Sequence, residues 1–198
     1  MSKRKDKKNK KKNKDKQRVK VPNEKAVFNL KAMAICGHVR AEALIDKWSA
    51  RGIRTFVEEG IIEKVTYVNK KEIVEAYKLT ERGSNYVRKY VYDDGIYRSK
   101  SIIHDLAMYD RYYSLTNKER ESVKTETQLR RELEVMYHKG EVTEEEYKNI
   151  SCVDFSYTSR TGEVVGFEVI TKNYTNAEIQ SKQDYCSVVG MRFDDVRV

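Results

Sequence analysis

Two carboxylates stand close together in the stretch CVDFSYTSRTGEVVGFEVITK, residues 152–172. Val153, Phe155 and Tyr157 alternate with Asp154, Ser156 and Thr158, and Val165, Phe167 and Val169 alternate with Gly166, Glu168 and Ile170. That is the period of two strands joined by the turn Arg160-Thr161-Gly162. With Gly162 in the left-handed position of a three-residue loop, Ser159 pairs with Glu163. The register then sets Asp154 opposite Glu168 and Gly166 opposite Ser156, which leaves room beside the pair. Like charges facing each other destabilise a sheet, so water, a nearby cation or a divalent metal should offset them. Oxygen ligands suit Mg²⁺, which activates water and offsets charge on a phosphate. Asp154 and Glu168 are therefore the candidate metal ligands. Lys172 lies four residues beyond Glu168, on the same face of an extended strand. A plainer reading keeps both acids on the solvated face of an ordinary hairpin.

The elements around this hairpin must hold the pair in place. Thr125 and Gln128 form a capping box opening a helix with Leu129, Leu133, Met136 and Tyr137 on one face. Glu132 and Glu126 border that stripe, and either could supply a further carboxylate. Thr143 with Glu146, and Thr175 with Glu178, signal two more helices, and Val188 to Phe193 reads as a closing strand. Upstream, Ile102, Leu106, Tyr109 and Tyr113 make a helical stripe. His104-Asp105 could ligate a metal, but no second histidine cluster supports it, so the pair reads as helix surface. Tyr92-Asp93-Asp94-Gly95 is the best boundary in the chain.

Residues 23–94 carry a different pattern. A buried-looking helix from Ala26 ends near Gly37, and a second runs from Arg40 to Trp48. Ser49 caps a third, in which Ile53, Phe56 and Val57 face inward and Gly60 ends the helix. A hairpin with the tip Asn69-Lys70-Lys71-Glu72 follows, and Thr80 caps a closing helix. This order predicts a winged helix-turn-helix. Its third helix would present Ser49, Arg51, Arg54 and Thr55 to duplex DNA, with Lys70 and Lys71 reaching phosphates or the minor groove. A winged helix used only for protein contacts has the same pattern.

Charge is graded along the chain. Residues 1–20 hold 12 Lys and Arg against 2 Asp, while 21–100 is mildly basic and 101–198 acidic. Residues 1–22 cannot bury an apolar face and are expected to be a disordered basic arm, attracted to polyanions by counterion release. No signal-peptide core or membrane span is visible, which predicts a cytoplasmic protein without a membrane partner. Cys36, Cys152 and Cys186 lack ligand spacing and read as buried or free thiols.

The phrases GIRTFVEEGIIEKV and YKLTERGSNYV resemble bacterial winged-helix domains. Helix, strand with Asp, strand with Glu, helix, strand is similar to the restriction-endonuclease-like core. The expected fold class is thus α+β: arm 1–22, winged helix 23–94, and a restriction-endonuclease-like α/β domain 95–198. In that core an Asp and a Glu hold Mg²⁺ and a lysine assists; the usual motif is departed from twice, with Val153 in place of proline and Ile170 in place of lysine, so the resemblance implies Lys172, or Lys182 from the next helix, as the assisting cation. With SIIHDLAMYDRYY, TETQLRRELE, VDF, GEVVGFEVITK and KQDYC, the order over Val27 to Phe193 resembles the replication-relaxation family of plasmids and mobile elements. That resemblance implies DNA binding in replication or transfer, replication or relaxosome proteins as partners, and a nuclease-like second domain that need not be active. The alternatives are a Mg²⁺-dependent DNA endonuclease using Asp154, Glu168, Lys172 and Glu132 or Glu126, and a transcriptional regulator whose acidic domain forms a homodimer or senses a ligand.

Overall fold

A computed structural model describes residues 21–69, 72–99 and 101–198. Residues 1–20 of the basic arm, and Lys70 and Lys71 at the hairpin tip, lie outside the described residues. The Asn23 side chain accepts the Ala26 N–H at 2.9 Å and starts α1 (Glu24–Cys36), which ends at Gly37 with φ +84°. A three-residue strand, β1 (His38–Arg40), comes next and is too short to show a period. It leads into α2 (Ala41–Lys47) and α3 (Ala50–Glu58). Ser49 caps α3 by accepting the Gly52 N–H at 3.2 Å. Gly60, at φ +63°, turns the chain into β2 (Ile62–Asn69), which pairs antiparallel with β3 (Glu72–Leu79). β1 joins the other side of β3, giving the order β1-β3-β2. Thr80 caps α4 (Glu81–Tyr90). A Cβ on Gly83 would lie 1.8 Å from the Ile61 carbonyl oxygen, so glycine lets this helix sit directly on the backbone that opens the hairpin.

The rest of the chain forms α5 (Ile102–Ser114), α6 (Asn117–Glu121), β4 (Lys124–Thr125), α7 (Glu126–His138), α8 (Glu144–Asn149), β5 (Phe155–Thr158), β6 (Val164–Ile170), α9 (Asn176–Val188) and β7 (Arg192–Arg197). The second sheet has the order β4-β5-β6-β7. Its first two pairs are antiparallel and β6-β7 is parallel, with α9 as the crossover that parallel strands require. The three expected capping boxes are present, and a fourth at Thr116 and Glu119 opens α6. The closing strand lies later than its apolar run suggests. Val188 is the last residue of α9, Gly190 turns at φ +69°, and β7 begins at Arg192.

The turn-rich stretch at Asp94 changes sheet without breaking the core. One buried cluster includes Leu30, Met33, Phe56, Tyr109, Phe155 and Phe167, on both sides of that point. α5 contacts α1, β1 and β6, and so lies between the sheets. Arg40 of β1 donates from Nε and Nη2 to Asp110 of α5 at 2.8 and 2.7 Å. Each fully buried large apolar side chain is worth roughly 1.5–3 kcal/mol. A shared cluster of this size outweighs any single surface ion pair in holding the halves together. A smaller cluster of Leu129, Leu133, Val153, Tyr185 and Cys186 joins α7 and α9 to the second sheet. No helix of the described residues is long and apolar enough to cross a membrane.

Candidate functional site

The β5-β6 ladder pairs Ser156 with Gly166 and Phe155 with Phe167. Ser159 N–H donates to the Glu163 carbonyl at 2.8 Å, and Gly162 takes φ +86°. Asp154 and Glu168 therefore stand one step beyond the last pair, at the open end of the ladder. There each carboxylate takes over a donor from the opposite chain. Asp154 N–H donates to Glu168 Oε2 at 2.8 Å, and Val169 N–H donates to Asp154 Oδ2 at 2.8 Å. Glu168 is 0% exposed and Asp154 8%, which overturns the solvated-hairpin reading. The room expected beside Gly166 is filled by α9. A Cβ there would meet Cys186 Sγ at 2.6 Å.

Two cations and a hydroxyl close around the acids. Lys182 of α9 places Nζ 3.1 Å from Glu168 Oε1 and donates to the Cys152 carbonyl at 2.6 Å. Tyr174 O–H donates to the same Glu168 Oε1 at 2.7 Å. His104 Nε2 lies 3.2 Å from Asp154 Oδ2. The expectation of a surface His-Asp pair is thus corrected: His104 and Asp105 are both buried. Asp105 Oδ2 meets His38 Nδ1 of β1 at 2.8 Å, and Asp105 Oδ1 lies 3.6 Å from His104 Nδ1. Gly37 makes the space for this carboxylate, since a Cβ there would fall 2.3 Å from Asp105 Oδ2. A buried chain, His38–Asp105–His104–Asp154, therefore runs from the first sheet to the second.

Of the other expected site residues, Lys172 is exposed in the turn after β6, and Lys182 stands beside Glu168 instead. Lys172 misses because the strand ends at Ile170, so the extended spacing from Glu168 does not carry that far. Glu132 is exposed and pairs with Lys124 at 2.7 Å. Glu126 is half-buried, and its N–H donates to the Asp154 carbonyl at 3.0 Å. A cavity of about 590 Å³ opens here, with Tyr97, His104, Glu126, Asp154, Tyr174 and Lys182 among its walls. Nothing in the local pattern marks His104, because its partner lies 50 positions away on another element.

The electrostatics follow from burial and from these neighbours. Burial, then the Asp154 charge, pushes the Glu168 carboxyl up to about 7, against the pull of Lys182 and Tyr174. For His104, burial pulls downward, but the carboxylates of Asp105 and Asp154 outweigh it and hold the imidazole at about 9. Burial alone would raise Asp105; His104, His38 and Ser99 hold it below its ordinary value. Burial pushes the Cys152 and Cys186 thiols up to about 11, and all three cysteines are free and buried. They are poor nucleophiles at neutral pH.

A Mg²⁺ ion would need oxygen donors that are free to coordinate it. The donor type is right, since Asp154 and Glu126 line the cavity. The arrangement is not: the Glu168 oxygens already accept from Asp154 N–H, Tyr174 O–H and Lys182. Among the described residues, no three His, Cys, Asp or Glu side chains form a group able to hold a metal. As arranged, His104 and Lys182 occupy the positions beside the acids that a cation would need.

In the N-terminal half, Arg51 and Arg54 are exposed on α3, while Ile53 and Phe56 are buried. Ser49 is exposed with its hydroxyl engaged as the cap, and Thr55 donates its hydroxyl to the Arg51 carbonyl at 2.9 Å. Val57, expected to face inward, is 39% exposed. It lies one position round the helix from Phe56, beyond the face that meets β2. Comparison with known proteins found no family model, no curated protein and no solved structure matching this chain.

Proposed function

We propose that this protein binds duplex DNA through its N-terminal half, read as a winged helix-turn-helix. The observation that carries the reading is α3. It buries Ile53 and Phe56, exposes Arg51 in its first turn and Arg54 at its midpoint, and is followed by a hairpin. A helix entering a major groove leads with its N-terminal residues, and arginine is the side chain best suited to phosphate and guanine edges. The order helix, strand, two helices, hairpin supports the same reading. The basic arm, 12 Lys and Arg in 20 residues, adds affinity that falls steeply with salt.

On this reading the second half is a nuclease-like platform, and the carboxylate cluster is a closed ion network within it. The resemblance of its motifs to the replication-relaxation family supports a proposed role in plasmid or mobile-element replication or transfer, with replication or relaxosome proteins as partners. Fluorescence anisotropy with labelled duplex tests the DNA reading. The double variant R51A/R54A should weaken binding at least 10-fold and leave the far-UV circular dichroism unchanged. Equal affinity for variant and wild type would end it. Supercoiled plasmid with Mg²⁺ or Mn²⁺ tests the platform reading, with no nicking expected. Nicking that disappears in Glu168→Gln would replace it with the endonuclease reading.

A further inference from the structure

A cleft of about 420 Å³ opens between the end of α1, the end of β3, α4 and the connector 96–99. It shares only Tyr97 with the carboxylate cavity, and no residue of α3 lines it. Lys78, Arg88 and Arg98 stand on its walls, and Glu81 is the only acid there among the described residues. Lys78 pairs with Glu63 at 3.2 Å, and Arg88 donates to the Asn85 side chain at 3.1 Å. Arg98 is exposed and has no hydrogen-bond or ion-pair partner among the described residues. Both its neighbours are nevertheless pinned. Tyr97 N–H donates to the Ala34 carbonyl at 2.8 Å, and Ser99 Oγ lies 3.1 Å from His38 Nδ1. The backbone therefore holds an unpaired guanidinium in place at the mouth of a concave, positively charged site. Such a site focuses its potential on an anion, and the planar fork of arginine matches phosphate oxygens. The cleft also has an apolar side, with half-buried Leu79 and Ile96 on its walls. Its size falls within the range of about 300–1,000 Å³ typical of small-molecule sites.

We propose that this cleft binds a small phosphorylated ligand of the nucleotide class, with phosphates on Arg88 and Arg98 and the ring against Leu79 and Ile96. The inference goes beyond the DNA-binding reading and does not depend on it, since α3 takes no part in the cleft. A nucleic-acid backbone offers the same phosphate chemistry. The apolar wall favours the small ligand, because a backbone phosphate brings no ring to cover Leu79 and Ile96.

Calorimetric titration of the full-length protein in EDTA tests this with two probes that carry the same phosphate chain, ATP and inorganic tripolyphosphate. The variants are R88Q/R98Q, for the cleft, and R51A/R54A, for α3. Glutamine keeps much of the arginine stem, and circular dichroism checks the fold. ATP should bind the wild type more tightly than tripolyphosphate does. R88Q/R98Q should weaken ATP binding by at least about 10-fold, the loss expected when charge-assisted contacts go. R51A/R54A should bind ATP as the wild type does. Equal ATP affinity in R88Q/R98Q and wild type would put the binding elsewhere, on the basic arm for instance, and overturn the inference. Tripolyphosphate binding as tightly as ATP would remove the ring contact and with it the nucleotide assignment. If R88Q/R98Q loses affinity for labelled duplex but not for ATP, the phosphate belongs to a nucleic-acid backbone and the inference is wrong. Absence of ATP binding by the wild type would also overturn it, and would leave the DNA reading standing.

Discussion

Glu168 and His104 carry the titration that should be visible in stability. Each binds its proton more tightly in the folded chain, at about 7 for Glu168 and about 9 for His104, than at their ordinary values of 4.5 and 6.5. The folded state therefore holds more protons than the unfolded state across both windows, and stability falls as pH rises through them. The Glu168 contribution is present below pH 4.5 and lost by the time pH passes 7. The His104 contribution is present below 6.5 and lost as pH passes 9. In EDTA the unfolding temperature should fall by several degrees between pH 6 and 9.5, since about 1 kcal/mol corresponds to roughly 2–4 °C at this size. His104→Gln should flatten the segment between 6.5 and 9, and Glu168→Gln the segment between 4.5 and 7. A wild-type midpoint that rises over this range would contradict the assignment. Asp105 is the other residue to alter. Removing one member of a buried charge pair costs about 3–5 kcal/mol, so Asp105→Ala should cost at least as much as any single apolar truncation nearby.

At the scale of elements, Gly166 of β6 and Cys186 of α9 set how closely helix and strand approach. Gly166→Ala should cost about 1–3 kcal/mol through overpacking. Cys186→Ala removes the sulfur it meets, so the double variant should recover most of that loss, a coupling that chemical denaturation of all four proteins can measure. Additive losses would show that the close approach is unimportant. The elements also show what could be read from residues alone. The Asp154–Glu168 register was legible because a three-residue turn with Gly162 fixes pairing by itself. The caps at Ser49, Thr80, Thr125, Thr143 and Thr175 were legible because capping is local. His104 was not, since its partners His38 and Asp154 come from other elements and only the fold brings them together. Lys182 was named only as an alternative to Lys172, because strand spacing favours the nearer residue until the strand stops at Ile170. Val188 to Met191 looked like strand because an apolar helix end and an apolar strand start have the same composition over four residues.

For the whole molecule, the shared core and the His38–Asp105 contact predict one cooperative transition rather than two. The chain has a single tryptophan, Trp48, buried at 4% exposure in the N-terminal half. Its fluorescence reports that half, while far-UV circular dichroism reports both. The two urea transitions should coincide within error, as two-state unfolding requires. A separation would mean that the halves unfold independently despite the common cluster around Tyr109 and Tyr112.

Amide hydrogen exchange of the full chain, with and without a saturating duplex, tests the central claim most directly. DNA binding through α3 predicts slowed exchange over residues 49–55 and at the β2-β3 hairpin, with β5 and β6 unchanged. Identical exchange at α3 in the presence and absence of duplex, or protection confined to the second sheet, would contradict it.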